Sequence, residues 1–149
     1  MDYFYRMINT SELRIGNLFQ DTKGNIQVAY TIHETVVNES WTGPFPGGDY
    51  KLNPGYGEDD MEPIPLSAEW LVRMGFENGE IKYSHKLHMT IRPYQTATQG
   101  IFPGEWEITL LGAIPHALGR TIRYVHQLQN LYFDLTGEEV TIKTPISAL

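Results

Sequence analysis

The hydrophobic pattern is strongest between Thr121 and Gly137, where apolar residues recur with a helical period. At about 100° per residue, one arc of such a helix carries Tyr124, Val125, Leu128, Leu131, Tyr132 and Leu135. The opposite arc carries Arg123, Gln127, Asn130 and Asp134. Gly137 suits the left-handed residue that commonly follows a last helical turn. The pattern therefore predicts an amphipathic helix over Thr121–Gly137 whose apolar stripe faces the core.

Elsewhere apolar and polar residues mostly alternate, which is typical of strands with one buried face. The predicted strands are Ile15–Gln20, Ile26–His33, Glu80–Ser84, Leu87–Arg92, Glu105–Leu111 and Glu138–Lys143. A short helix is predicted over Ser67–Met74, with Ser67 as its N-cap. The stretches Tyr94–Gly104 and Gly112–Gly119 are predicted to be loops. These elements predict one α+β domain over residues 1–149, in which both helices pack on an antiparallel, partly barrel-like sheet.

Two stretches lack a clear period. Residues 1–9 are expected to form an N-terminal arm, and residues 38–62 a long loop rich in glycine and proline. The aromatic residues of this loop are Trp41, Phe45, Tyr50 and Tyr56. Loops of this length inside a domain are often functional, but the composition is equally typical of a surface insertion that its aromatic residues pin to the domain.

Composition narrows the function classes. The chain has no cysteine, which excludes disulfides, thiolate zinc sites and thiol nucleophiles. A formal net charge of −7 opposes nucleic-acid binding, which needs a basic surface. No window has the length of a membrane span, and the N-terminus lacks the pattern of a signal peptide. A cytoplasmic protein with a small-molecule or protein partner is expected.

Three segments resemble a family of small uncharacterised proteins carried by phages and prophages of gut anaerobes. They are Glu12–Asn17 (ELRIGN), Ile64–Leu71 (IPLSAEWL) and Tyr124–Phe133 (YVHQLQNLYF). The resemblance implies a location in the bacterial host and supplies no activity, cofactor or catalytic residue. The hairpin that contains ELRIGN also resembles the opening of SH3-like barrels.

One segment of the long helix has the spacing of a zinc-peptidase motif. In HExxH helices two histidines bind zinc and the glutamate activates water. In His126–Asn130, Gln127 replaces that glutamate and Asn130 replaces the second histidine. Glutamine cannot take a proton and an amide nitrogen does not bind zinc, so a peptidase is excluded and His126 is interpreted as structural. With no other catalytic or metal-binding motif, the sequence predicts no enzyme, no cofactor and no metal.

Five residues with N–H donors form the candidate anion-binding set: Lys86, His88, Arg92, Arg120 and Arg123. The first three lie on or beside the polar face of the strand Leu87–Arg92, and the two others lie at the start of the predicted helix. Such donors suit a phosphate or a carboxylate. The alternative for the strand is a solvated face, or cross-strand pairing with Glu105 and Glu107.

Two hypotheses of different class follow. The first is a non-catalytic phage-type protein that captures a small anionic, nucleotide-like ligand to counter host defence, with the aromatic loop closing over a base. The second is a protein–protein interaction module or inhibitor that docks on a host or phage protein through residues 41–57. Self-association into a homodimer is compatible with either hypothesis.

Overall fold

The structure, a computed structural model, describes residues 8–38, 40–42, 51–53, 55–77, 80–82, 88–111 and 116–143. These residues form two α-helices and several antiparallel sheets, which confirms the predicted α+β fold, and no closed barrel is found among them. The chain divides into two compact units, Met1–Ile64 and Pro65–Leu149. The predicted single domain and the SH3-like likeness stay predictions. No helix in the described part of the chain is long and apolar enough to cross a membrane.

The first unit contains seven short strands and two 3-10 helices among its described residues. The strands are β1 (Leu18–Asp21), β2 (Ile26–Val28), β3 (Val36–Val37), β4 (Ser40–Thr42), β5 (Lys51–Asn53), β6 (Tyr56–Gly57) and β7 (Met61–Glu62). The 3-10 helices are Thr10–Glu12 and Glu58–Asp60. The strands pair in the order β2–β1–β7, with β3 on β6 and β4 on β5. The predicted hairpin is confirmed with shorter strands, whereas residues 38–62 contain paired strands and are not simply a loop.

Residues 14–17 of the ELRIGN segment form a tight turn, so the strand does not begin at Ile15 as predicted. The Asn17 N–H donates to the Arg14 carbonyl, and the Arg14 N–H donates to the Asn17 side-chain oxygen. Gly16 has a φ of 98°, a conformation that side chains disfavour. Ile15 is 61% exposed at this turn. These two hydrogen bonds close the turn, and β1 therefore begins only at Leu18.

The core of the first unit consists of apolar side chains from its strands and from the segments that flank these strands and the first 3-10 helix. Its buried members are Ile8, Leu13, Phe19, Ala29, Val37 and Met61, and Ile32 and Tyr56 pack against them. Each of the strands is short, so the sheets cannot stand alone and depend on this shared core.

Asn38 is a buried amide that connects three neighbouring backbone groups. Its side-chain oxygen accepts from the N–H groups of Tyr30 (2.8 Å) and Thr31 (3.3 Å), and its amide nitrogen donates to the Val28 carbonyl (2.8 Å). Its backbone has a φ of 61°, which asparagine tolerates better than most residues. Asn38 therefore fixes the chain that leaves β2.

We expect Asn38→Ala to lower the free energy of unfolding by about 1–3 kcal/mol, because it leaves partly buried backbone groups without this partner and strains the left-handed backbone. Asn38→Gly removes the amide but accepts the φ, so its loss should be about 1 kcal/mol smaller. Urea denaturation measures both, with exposed Asn25→Ala as the control. Equal stability of wild type and Asn38→Ala would contradict this role.

The second unit is a four-stranded antiparallel sheet with two helices. Its elements are α1 (Ala68–Arg73), β8 (Glu80–Lys82), β9 (His88–Thr96), β10 (Gly100–Leu111), β11 (His116–Ile122) and α2 (Val125–Thr136). The strands lie in the order β11–β10–β9–β8. Met89, Ile91 and Ile108 are buried on one side of the central pair.

Both helices have the predicted caps, although α2 begins later than predicted. The Ser67 hydroxyl accepts from the Trp70 N–H at 3.3 Å, which confirms the N-cap of α1. Gly137 has a φ of 75° and follows α2 as its left-handed cap. The predicted start at Thr121 is wrong, because Thr121 and Ile122 pair with Glu107 and Trp106 of β10. This pairing with a distant segment prevails over the local helical period.

The apolar stripe of α2 is partly shifted from the predicted one. Leu135 is 39% exposed, whereas Gln129 is only 3% exposed. The predicted strand Glu138–Lys143 is not formed, although Val140 is buried there and the Lys143 N–H donates to the Arg73 carbonyl at 2.7 Å. The alternation therefore indicated a buried contact correctly, but the segment has no strand partner among the described residues.

Leu66 links the start of the second unit to its sheet. The Trp106 indole N–H donates to the Leu66 carbonyl at 3.2 Å, and the Leu66 N–H donates to the Arg123 carbonyl at 2.9 Å. Pro65 forms a bridge with Tyr124 beside it. These contacts hold the segment before α1 against the junction of β11 and α2.

Candidate functional site

The predicted anion-binding residues are only partly brought together. Lys86 lies outside the described residues. His88 is the first residue of β9, half-buried and paired across the sheet with Leu111. Arg120 lies in β11, and the structure describes only its backbone. The expectation that Arg120 lies at the start of the long helix is wrong, because β11 continues to Ile122 and α2 begins at Val125.

Arg92 is paired with a carboxylate across the strands. It lies directly opposite Glu107 in the β9–β10 register, and its Nε donates to Glu107 Oε1 at 2.7 Å. The two side chains are 68% and 30% exposed. This is the cross-strand pairing that the sequence offered as the alternative to an anion site.

Arg123 also has a carboxylate partner. Its Nε donates to Glu105 Oε1 at 3.0 Å, and its Nη2 contacts the same oxygen. The backbone N–H groups of Arg123 and Tyr124 donate to the side chain of Gln127. Tyr124 is the N-cap of α2 and Arg123 precedes it, so Gln127 binds the two N–H groups that lead into the helix.

The four aromatic residues of the 38–62 segment do not form a described cluster. Trp41 lies in β4 opposite Leu52, and the structure describes only its backbone. Phe45 and Tyr50 lie outside the described residues. Tyr56 packs edge-on against Phe19, with ring centroids 5.3 Å apart. Tyr56 therefore packs against the core of the first unit.

Tyr56 also borders a cavity of about 320 Å³ within the first unit. Burial raises the pKa of the Tyr56 phenol, and the charge of Asp21 raises it further, so the hydroxyl stays protonated. Asp21 accepts from the Asn25 and Lys23 N–H groups of its own turn, and these hydrogen bonds hold its pKa below the usual value. Asp60 also lines this cavity, and Lys23 is the only basic residue among the described residues of its wall, so the cavity does not suit an anion.

The HQLQN segment contributes to the interior of the second unit. His126 is 2% exposed, and its ring stacks on Tyr124 with centroids 6.0 Å apart. This burial agrees with the structural interpretation of His126. Within the described ranges, no group of three or more histidine or acidic residues is placed to hold a metal ion.

Sequence reasoning missed that two strands of the sheet, β9 and β10, continue beyond the strands that flank them. β8 pairs with residues 88–90 of β9, and β11 pairs with residues 106–110 of β10. Between these positions, residues 94–104 pair only within the β9–β10 hairpin, as far as the described strands show. We name this extension the 94–104 hairpin. The sequence prediction of a loop there is wrong, because β9 continues to Thr96 and β10 begins at Gly100.

The 94–104 hairpin has a defined turn and a wide bulge. Three residues separate Thr96 from its partner Gly100, which has the φ of 73° expected at the end of such a turn. The Gln99 N–H donates to the Thr96 hydroxyl at 3.0 Å. The bulge lies between the pairs Ile101–Gln95 and Trp106–Pro93, and so places four residues of β10 opposite Tyr94 alone. Bulges of this kind bend a ribbon and re-aim its side chains.

The 94–104 hairpin contains apolar side chains and no charged residue. Ile101 is 60% exposed, and the rings of Tyr94 and Phe102 lie 5.3 Å apart. Residues 94–104 contain no Asp, Glu, Lys, Arg or His, in a chain that is 19% charged. The ion pairs Arg92–Glu107 and Arg123–Glu105 lie at its base. The sequence signal was this uncharged run, with β-branched and aromatic residues on both sides of Gly100.

Comparison with known proteins gives no match to any protein-family model, curated protein or solved structure.

We expect the two ion pairs at the base of the hairpin to differ in strength. In double-mutant cycles, Arg92–Glu107 should couple by about 0.5 kcal/mol or less, as exposed pairs do. Arg123–Glu105 should couple more strongly, because two nitrogens meet one oxygen and the Glu105 side chain is only 16% exposed. Urea unfolding of Arg→Gln, Glu→Gln and combined variants measures both couplings. A weaker Arg123–Glu105 coupling would contradict the geometry.

Proposed function

We propose that this chain is a non-catalytic interaction protein that docks on a protein partner through the 94–104 hairpin. The observation that supports this most is an uncharged two-stranded extension that exposes Ile101. An isolated two-stranded ribbon is marginally stable in water, and its exposed apolar side chains gain free energy when a partner covers them. Interface cores are depleted of charge and enriched in aromatic residues, as this hairpin is.

The hairpin favours recognition through side chains over addition of a further strand. Pro93 and Pro103 have no N–H to offer to a neighbouring strand. The bulge between Ile101 and Trp106 interrupts the regular spacing of the backbone donors and acceptors on β10. These devices are also how proteins protect sheet edges against unwanted pairing. The exposed Ile101 remains as the anchor on one face of the ribbon, and the half-buried rings of Tyr94 and Phe102 lie on the other face.

Capture of a small anion is less well supported. Arg92 and Arg123 each have a glutamate partner, so an anion would displace an existing carboxylate and leave it near the ligand. The proposal thus follows the second of the two sequence hypotheses, with the docking surface moved from residues 41–57 to the hairpin. The likeness of the ELRIGN, IPLSAEWL and YVHQLQNLYF segments to phage-borne proteins supports a partner from a phage or its bacterial host.

Site-specific photo-crosslinking tests the docking surface. A photoreactive phenylalanine analogue replaces Gln95 on the hairpin or, as a control, Ala68 on α1; both positions are exposed. In bacterial cells the Gln95 probe should form a discrete adduct heavier than the 17.0 kDa chain, and the Ala68 probe should not. Adding Ile101→Asp should remove that adduct, because an unpaired carboxylate would be buried at the contact.

Equal crosslinking from the two positions would contradict docking at the hairpin. Calorimetry against a panel of nucleotides addresses the competing function. Binding that Arg92→Gln abolishes and Ile101→Asp leaves intact would favour anion capture and reject the docking proposal.

A further inference from the structure

We draw no further inference here: the strongest candidate, the cavity of about 320 Å³ beside the β1–β2 turn of the first unit, rests on the acidic pair Asp21 and Asp60, whose carboxylates accept backbone hydrogen bonds of their own turns, and no further feature of the described residues points to a ligand there.

Discussion

The pairing of β9 with β10 is the interaction on which the second unit depends. The two strands are in register from His88–Leu111 to Arg92–Glu107, and β8 and β11 add to their outer edges. On one face, Ile91 lies opposite Ile108 and both are buried; on the other, Arg92 and Glu107 form an exposed ion pair. The free energy of this pairing comes mainly from the buried face, because exposed ion pairs contribute little. The same two strands then continue beyond the sheet, which makes the 94–104 hairpin a consequence of the strand lengths.

This arrangement explains why the two arginines are poor evidence for an anion site. Each lies where the register of the sheet or the start of α2 brings a glutamate next to it, so their charges serve local pairing. The residues of the 94–104 hairpin carry no charge, and Ile101 on it is exposed. Ile101 adds little to the core at 60% exposure, and under the docking proposal a partner covers it.

Sequence patterns predicted the parts of the fold that local chemistry decides. Ser67 caps α1 because its hydroxyl accepts a backbone hydrogen bond, and Gly137 caps α2 because the left-handed position favours a residue without a Cβ. Lys23–Asn25 form part of the turn between β1 and β2, where local chemistry is again decisive. The predictions failed where contacts between segments far apart in the sequence determine the structure. Thr121 and Ile122 fit a helical period but pair with β10, and Val140 is buried without a strand partner among the described residues. The hairpin was missed because glycine, proline and polar residues suggest a loop unless the partner strand is known. Of the candidate site, only the cross-strand pairing of Arg92 was foreseen.

The central claim, that the 94–104 hairpin is a surface made to be covered, is tested most directly by amide hydrogen exchange along β9 and β10 at low and high protein concentration. We expect rapid exchange across residues 94–104 in dilute protein, slowing as the concentration rises, while residues 106–110 stay protected throughout because β11 pairs with them. Exchange in the hairpin that does not change with concentration, or on addition of a crosslinked partner once identified, would contradict it.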